Sequence, residues 1–431
     1  MLLRYCAVAI SPARQAAFDI LLRIETTTAY SDELLNSRLT ARLDERDRAL
    51  TSEIVLGTLR RQGEIDQLIA QPARRLLGEL DAEVRTALRL GCYQIRYLDR
   101  IPDRAAVSES VDLVKRARKS SAAGMVNAVL RRLPERPRPL ESTEWSHPKW
   151  LRQRWQRAFG ESAADTVIQV NLQPPRIYLH LNTRYPVEET VRRLDDEGVA
   201  TKPTELPFCR LVVQGRPALT ESRKQGRVRV QDISSQMVVP MLDLKPSHTF
   251  LDLCAAPGGK TAQALEALTD PGFARRAVVI ACDRRLHRLR TMRELAAESV
   301  DMVSLDAETA LPFQRTFDRI LVDAPCSGTG TLARNPEIKW RLRPRDIEAL
   351  SRRQAGILAN GLRALSPGGV LVYATCSLEP EENRGVVDHV LMERTEMGRT
   401  EFAADAYMTR VPGRDEGDGF FACRIVRISP N

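Results

Sequence analysis

The sequence predicts a multidomain protein: an all-α helical bundle, then a small α+β unit, then a larger α/β domain on a parallel sheet. Three observations predict it. Apolar residues recur at three- and four-residue spacing through residues 11–133. Mixed strand and helix patterns run from His147 to about Pro240. From Thr249 onward, near-continuous apolar runs alternate with helical stretches, the pattern of a parallel sheet covered on both faces. A chain of 431 residues is too long for one ordinary core, and 43% hydrophobic with 28% charged residues fits a folded globular protein. The expected domains span 1–138, 145–240 and 241–431.

In the first domain, RQAAFDILLRIE, DRALTSEIVLGTLRRQGEIDQLIA, AEVRTALRLGCYQIRYL and AVSESVDLVKRARK read as amphipathic helices separated by short polar or Gly/Pro breaks. AGMVNAVLRRLPERPRPLES ends the last helix in an Arg/Pro-rich linker. In the middle unit, IYLHLNT, CRLVVQG and GRVRVQD read as strands, and PVEETVRRLDDEGV as a helix closed by Gly198. In the third domain the strands are FLDLC, AVVIACD, MVSLD, RILVDAP and GVLVYATC. Ligands of such sheets sit at the carboxyl ends of the strands, where the residues singled out below all lie.

The formal charge is +9, and residues 1–140 hold 24 basic against 18 acidic side chains. This excess permits a polyanionic partner. Aromatics are only 5%, which argues against long stacking platforms for single strands. No run of eighteen apolar residues occurs, and MLLRYCAVAI is interrupted by Arg4, so neither a membrane span nor a signal peptide is expected. Cys6, Cys92, Cys209, Cys254, Cys282, Cys326, Cys376 and Cys423 form no CxxC pair, consistent with reduced thiols in a cytoplasm. Five isolated histidines predict no metal site.

CAAPGGKT follows the first strand of the third domain and opens a helix at Lys260. A triphosphate loop would need glycine where Cys254 stands, but Gly258 and Gly259 still allow close approach of a ligand. A tight turn with no ligand is the alternative. Asp283, Asp306 and Asp323 end the next three strands. One acid at a strand end is usually a cap or turn residue. Three facing one glycine loop suit a nucleoside cofactor, with Asp283 placed for ribose hydroxyls. Without a pyrophosphate to hold, S-adenosylmethionine fits, its adenosine along the acids and its amino-acid moiety near the loop and Lys260.

Two further runs, VDAPCSGTG and VYATCSLEPEEN, deliver Cys326 and Cys376 where the chain leaves the sheet. A free cysteine is most often a small buried hydrophobe, and Cys254 and Cys282 are read as packing residues. A pair at strand ends beside a cofactor loop points instead to methylation of cytosine carbon 5. That carbon is a poor nucleophile until a thiolate adds to carbon 6; after methyl transfer a proton must leave carbon 5 so that the thiol can be expelled. One nucleophilic cysteine and one nearby acid–base group are required. Asp323 is placed to hold the amino edge and ring nitrogen of the base.

LDLCAAPGGKT, VDAPCSGTGTLARNPEIKWR, YATCSLEPEEN and DGFFACRI resemble the RNA cytosine-5 methyltransferases of the Nol1/Nop2/Sun group. AYSDELLNSRL, VLGTLRRQGEID, LRLGCYQIRYLDRIPDRAAVSESVDLVK and MVNAVLRR are similar to the NusB-type RNA-binding domain of its bacterial Sun/Fmu branch. The resemblance implies a NusB-like bundle, an RRM-like middle unit and a Rossmann-like catalytic domain that makes 5-methylcytosine in 16S ribosomal RNA. It implies Cys376 as nucleophile and Cys326 as the residue that helps release the RNA. Cofactor contacts are implied for Cys254, Ala255, Ala256, Pro257, Gly258, Gly259, Lys260, Asp283, Asp306 and Asp323. SES in AAVSESVDL and DISSQ after VRVQ depart from the group's pattern, and the segment before Ser11 matches nothing in it. The expected partner is 16S ribosomal RNA, free or in a partly assembled subunit, with the protein acting as a monomer. Lys115, Arg116, Arg118, Lys119, Arg131 and Arg132 are candidates for phosphate contact; Arg334, Lys339 and Arg341 are candidates near a flipped base. An inactive RNA-binding adaptor and an enzyme for transfer RNA or DNA cytosine stay open as alternatives.

Overall fold

The computed structural model describes residues 10–133, 143–269, 277–296, 300–396 and 401–428. The segment up to residue 9 and the Arg/Pro-rich linker at 134–142 lie outside the described residues. Contacts divide the chain into two compact units: Met1–Pro174 with Leu332–Arg341, and Pro175–Thr331 with Leu342–Asn431.

The first unit is helical. Its helices include Pro12–Thr26, Glu45–Arg60, Gln62–Ala73, Ala82–Tyr97, Asp103–Arg116 and Ala123–Arg131. Val84, Ala87, Leu88, Leu90, Cys92 and Ile95 on Ala82–Tyr97 are buried against Phe18, Ile54, Leu113 and Val126 of its neighbours. The stretch 47–70, read as one helix from its periodicity, is two. The helix breaks at Arg61 (φ −106°, ψ 15°), which brings Gly63 so close to the carbonyl of Trp145 that a Cβ would lie 2.0 Å from it. Helices Lys149–Phe159 and Glu161–Asn171, in the range expected to belong to the α+β unit, cluster with the bundle.

Segment Leu332–Arg341 also belongs to this unit. The Arg60 guanidinium donates to the carbonyl of Ala333 at 3.2 and 3.0 Å. In return the Lys339 ammonium donates to the Arg60 carbonyl at 2.9 Å and the Trp340 indole to the Leu59 carbonyl at 2.8 Å. Arg341 donates to the carbonyls of Ala29 (2.8 Å) and Ile24. Glu337 accepts from the amide and hydroxyl of Ser31. The last carbonyls of a helix have no partner within it and carry the negative end of its dipole, so cationic side chains satisfy them well.

The second unit holds two sheets. The smaller has strands β1 (Tyr178–Leu181), β2 (Ala200–Pro203), β3 (Cys209–Gln214) and β4 (Val228–Val230) in the antiparallel order β2-β3-β1-β4. The larger has β5 (Phe250–Asp252), β6 (Val279–Asp283), β7 (Asp301–Ser304), β8 (Phe317–Asp323), β9 (Leu365–Thr375), β10 (Phe402–Arg410) and β11 (Phe420–Arg427). Their order is β10-β11-β9-β8-β5-β6-β7. The expected parallel sheet is present from β9 through β7, but β11 and β10 extend it antiparallel. β10 has no continuous apolar run because it is an edge strand whose alternate residues are exposed. In the buried strands, Ile320, Val322, Leu371 and Tyr373 pack on one face and Leu321, Val370, Val372 and Ala374 on the other. Both faces being covered explains the unbroken apolar runs. Among the described residues no helix is long and apolar enough to cross a membrane.

A buried polar knot fastens β1 and β4 to the helix Gly259–Leu268. Glu266 accepts from His180 at 3.0 Å, from Arg229 at 2.6 Å and from the amide of Thr183 at 2.9 Å. Burial pushes the Glu266 carboxyl up, but the His180 hydrogen bond and the charges beside it prevail and hold it at about 2. Replacing Glu266 by alanine strands a buried guanidinium and imidazole; we expect a loss of about 3–5 kcal/mol in urea unfolding. A loss below about 1 kcal/mol would show that the knot contributes no more than a surface pair.

Candidate active site

The chain leaves β5 through Asp252 into the loop Cys254–Gly258 and enters the helix Gly259–Leu268. Gly258 sits at the helix N-cap with φ +105°, and a Cβ there would lie 2.6 Å from the Met292 side chain. Only glycine fits this turn, which leaves the first amides of the helix open to a ligand. β5 and β8 are neighbours from which the sheet is wound outward in both directions, so the loop sits at the switch point of the fold.

Lys260 donates to Asp323 Oδ2 at 2.7 Å and lies 5.0 Å from the Phe420 ring centroid. The acid at the end of β8 and the lysine of the glycine loop are thus one ion pair. Asp283 is nearly buried; its Oδ1 accepts the Arg285 amide at 2.8 Å and its Oδ2 lies 3.5 Å from Arg288. Arg288 also donates to the Ala256 carbonyl at 2.9 Å, tying the β6 end to the loop. Asp306 accepts the Glu308 amide at 3.1 Å and lies 3.4 Å from Arg284. In the loop, Ala255, Ala256 and Gly258 are buried, Pro257 is exposed, and Cys254 and Gly259 are half-buried. Burial pushes the Cys254 thiol well up, in keeping with a packing role for its sulfur.

The sulfurs of Cys326 and Cys376 lie 3.3 Å apart, each half-buried. β8 and β9 pair in parallel with Asp323 opposite Ala374, so the two loops leave the sheet side by side. A buried carboxylate stitches them together. Glu382 accepts from the Ser327 amide at 2.8 Å, from the Ser327 hydroxyl, from Ser377 Oγ at 2.5 Å and from Gln354 at 2.9 Å. The Gly330 amide donates to the Cys376 carbonyl at 2.9 Å and the Leu378 amide to Thr329 Oγ1 at 2.9 Å. The hydrogen bond to Cys376 and burial push the Cys326 thiol well above its ordinary range.

The sequence reading missed Glu382 and Arg288. Glu382 stands in the quoted run SLEPEEN, where three acids mark an exposed turn; its burial is a tertiary property. The proposed base-side cations need correction. Lys339 is fully buried on the helix-end carbonyl of Arg60, and Arg341, half-buried, is spent on the carbonyls of Ile24 and Ala29, all in the helical unit. Arg334 lies on the same segment, half-buried. On the bundle, Lys115 pairs with Asp112 at 3.0 Å, Arg116 with Asp19 at 2.8 Å and Lys119 with Asp81 at 2.9 Å, while Arg131 donates to Asn127 at 3.1 Å. Arg118 and Arg132 are exposed. Surface pairs of this kind are weak and exchange readily for a phosphate.

Comparison with known proteins agrees along most of the chain. A family model described as 16S rRNA methyltransferase RsmB/F matches residues 239–426, the NusB family matches 11–135, and the RsmF/B-like ferredoxin-like domain matches 147–214. The probable ribosomal RNA small subunit methyltransferase B of Bacillus subtilis is 32% identical, covering 96% of this chain and 98% of its own. The ribosomal RNA small subunit methyltransferase B of Pseudomonas putida is 33% identical over 92% and 94%. The crystal structure of PH0851 shares the fold with a TM-score of 0.81 at 23% identity over 97% of this chain and 99% of its own. NSun6 from Pyrococcus horikoshii with SFG matches at a TM-score of 0.58 and 20% identity, over 66% of this chain and 99% of its own.

Asp252 underlies the glycine loop. It is buried, accepting from Thr261 Oγ1 at 2.7 Å and from the Cys254 amide at 3.3 Å, and burial lifts its carboxyl to about 7. A carboxyl raised on folding stabilises the fold below its unfolded value near 4, and this stability is lost as pH rises toward 7. Asp252→Asn removes the charge and keeps one acceptor: its Oδ1 still takes the Cys254 amide, while its Nδ2 donates to the Thr261 hydroxyl, which turns to accept. We expect the variant to gain on the wild type in urea unfolding as pH rises from 4 to 8, with no gain at pH 4. A difference independent of pH would refute the assignment.

Proposed function

Because the chain belongs to the RsmB/F family of small-subunit ribosomal RNA methyltransferases, we propose that it methylates carbon 5 of one cytosine in 16S ribosomal RNA. The 3.3 Å approach of the two sulfurs carries this reading. Methylation of an exocyclic nitrogen or a ribose hydroxyl needs no thiol, whereas carbon 5 needs a nucleophile on carbon 6 and a route for its departure.

The methyl donor is S-adenosylmethionine, whose sulfonium supplies an electrophilic methyl group when bound. The residues present fit it. Gly258, which packs against Met292 too tightly for any Cβ, makes the positive-φ turn that shapes the loop, Asp283 sits at a strand end for ribose hydroxyls, and the helix Gly259–Leu268 begins at that loop with its N-terminal amides for the amino-acid end.

Cys376, as thiolate, adds to carbon 6, forming the S–C6 bond and making carbon 5 enamine-like. Cys326 lies within hydrogen-bond distance of that sulfur and orients it. Asp323, held by Lys260, grips the amino edge of the base and assists protonation of the ring nitrogen as the thiolate attacks. After carbon 5 has gained its methyl, Cys326, its own proton given up to solvent, takes the proton from carbon 5 as a thiolate, and the C–H electron pair becomes the C5–C6 double bond. The S–C6 electron pair then returns to Cys376 and the RNA leaves. Glu382 keeps both loops in place throughout. The reading includes a monomer acting in the bacterial cytoplasm on free ribosomal RNA or a partly assembled subunit.

Methyl transfer from radiolabelled S-adenosylmethionine to unmodified 16S ribosomal RNA, followed by bisulfite sequencing of the product, tests this. One protected cytosine is the expected result; incorporation into transfer RNA alone, or RNA binding with no incorporation, would overturn it. Cys376→Ala is expected to lower transfer by at least ~10³-fold and to give no covalent complex. Cys326→Ala is expected to accumulate a denaturant-resistant protein–RNA adduct, because addition proceeds and elimination stalls. A folded Cys326 variant that releases RNA normally would remove Cys326 from the mechanism.

A further inference from the structure

Within the helical unit, segment Leu332–Arg341 closes one side of a cavity of about 190 Å³ between the helices Pro12–Thr26, Glu45–Arg60 and Ala82–Tyr97. One water needs only about 10–15 Å³ by this kind of measure, so the space is in the range of one heterocyclic ring system. Its charged lining is already committed. Glu25 accepts from Arg85 at 2.5 Å and Arg89 at 3.2 Å, and Arg89 grips Asp66 at 2.7 and 2.8 Å. Glu337 is held by Ser31, and Arg341 by two backbone carbonyls.

Two neutral groups are uncommitted. Thr58 is 1% exposed and lines the cavity, and its hydroxyl has no hydrogen-bond partner. One turn further on, the amide of Gln62 lines the same space with no polar partner among the described residues. Trp340 adds an indole ring to the wall, fixed by its bond to the Leu59 carbonyl. A buried hydroxyl without a partner is costly unless something supplies one. A hydroxyl, an amide and an indole lining one small cavity are the groups by which proteins hold an unstacked base, by its edge and its face.

We propose that this cavity is a base-binding subsite: it takes one unstacked base of the substrate RNA, at a nucleotide other than the one methylated. This rests on the RNA methyltransferase reading and goes beyond it, since it gives the helical unit a base-specific grip in addition to phosphate contacts. The wall carrying Trp340 is continuous in sequence with the loop that bears Cys326, so an occupant also touches the segment that leads to the catalytic sulfur.

The test uses the full chain with the double substitution Thr58→Val and Gln62→Leu, both close in shape to the native side chains. Initial rates of methyl transfer are measured against the concentration of unmodified 16S ribosomal RNA. KM for RNA is expected to rise about tenfold, the loss of one or two hydrogen bonds, with kcat and KM for S-adenosylmethionine unchanged and the urea midpoint equal or higher. RNA KM within twofold of wild type in the folded variant overturns the subsite. Should the variant not fold, ultraviolet cross-linking of the wild-type chain to its RNA decides instead. A base attached to the peptide containing Trp340 or Gln62 supports the proposal, and its absence from both peptides overturns it. A wild-type chain that transfers no methyl group to RNA would instead refute the enzymatic reading on which this one stands.

Discussion

Two sulfur atoms on loops that leave different strands stay within 3.3 Å only if the strand ends are locked together, and the buried carboxylate of Glu382 does the locking. The parallel register that sets Asp323 opposite Ala374 brings the loops alongside one another. Register alone leaves two flexible exits. Glu382 joins them by accepting from the residue after each cysteine, Ser327 and Ser377. Burying a carboxylate is expensive, and its carboxyl is pushed up by burial, but several donors converge on it. The cysteines themselves stay half-buried, close enough to interact and open enough to meet a substrate.

A second constraint runs through the cofactor side. Lys260 joins the glycine loop to Asp323, Arg288 joins it to Asp283, and Asp252 holds it from below. The helix that begins at this loop carries Glu266 on its later turns, where β1 and β4 of the small sheet are fastened. One short helix therefore fixes both the loop expected to hold the cofactor and the position of the smaller sheet. Polar groups do this because each has a specific partner and direction, whereas apolar packing tolerates sliding.

The helical unit uses charge differently. Segment Leu332–Arg341 is held by Lys339, Trp340 and Arg341 reaching the terminal carbonyls of two helices and the chain just beyond. Burial pushes the Lys339 ammonium down to about 7, a measure of how completely water has been excluded. This segment starts a few residues after Cys326 in the chain, so a piece of the sequence that matches the methyltransferase family model is built into the helical unit.

The sequence by itself determined the three kinds of architecture, because helical and strand periodicities are local signals. It also placed Asp283, Asp323, Cys326 and Cys376 at strand ends, because apolar runs reveal where buried strands stop. It did not reveal β10, an edge strand lacking the continuous run, nor the break at Arg61, beside which Gly63 closely approaches Trp145, far along the chain. Only tertiary structure decided which charges are buried and with whom. Glu382 reads as one of several acids in an exposed turn and Lys339 as a surface cation suited to RNA, until folding removes the water around them. Hydrophobic pattern is written along the chain, but the partner of a desolvated charge is chosen in three dimensions.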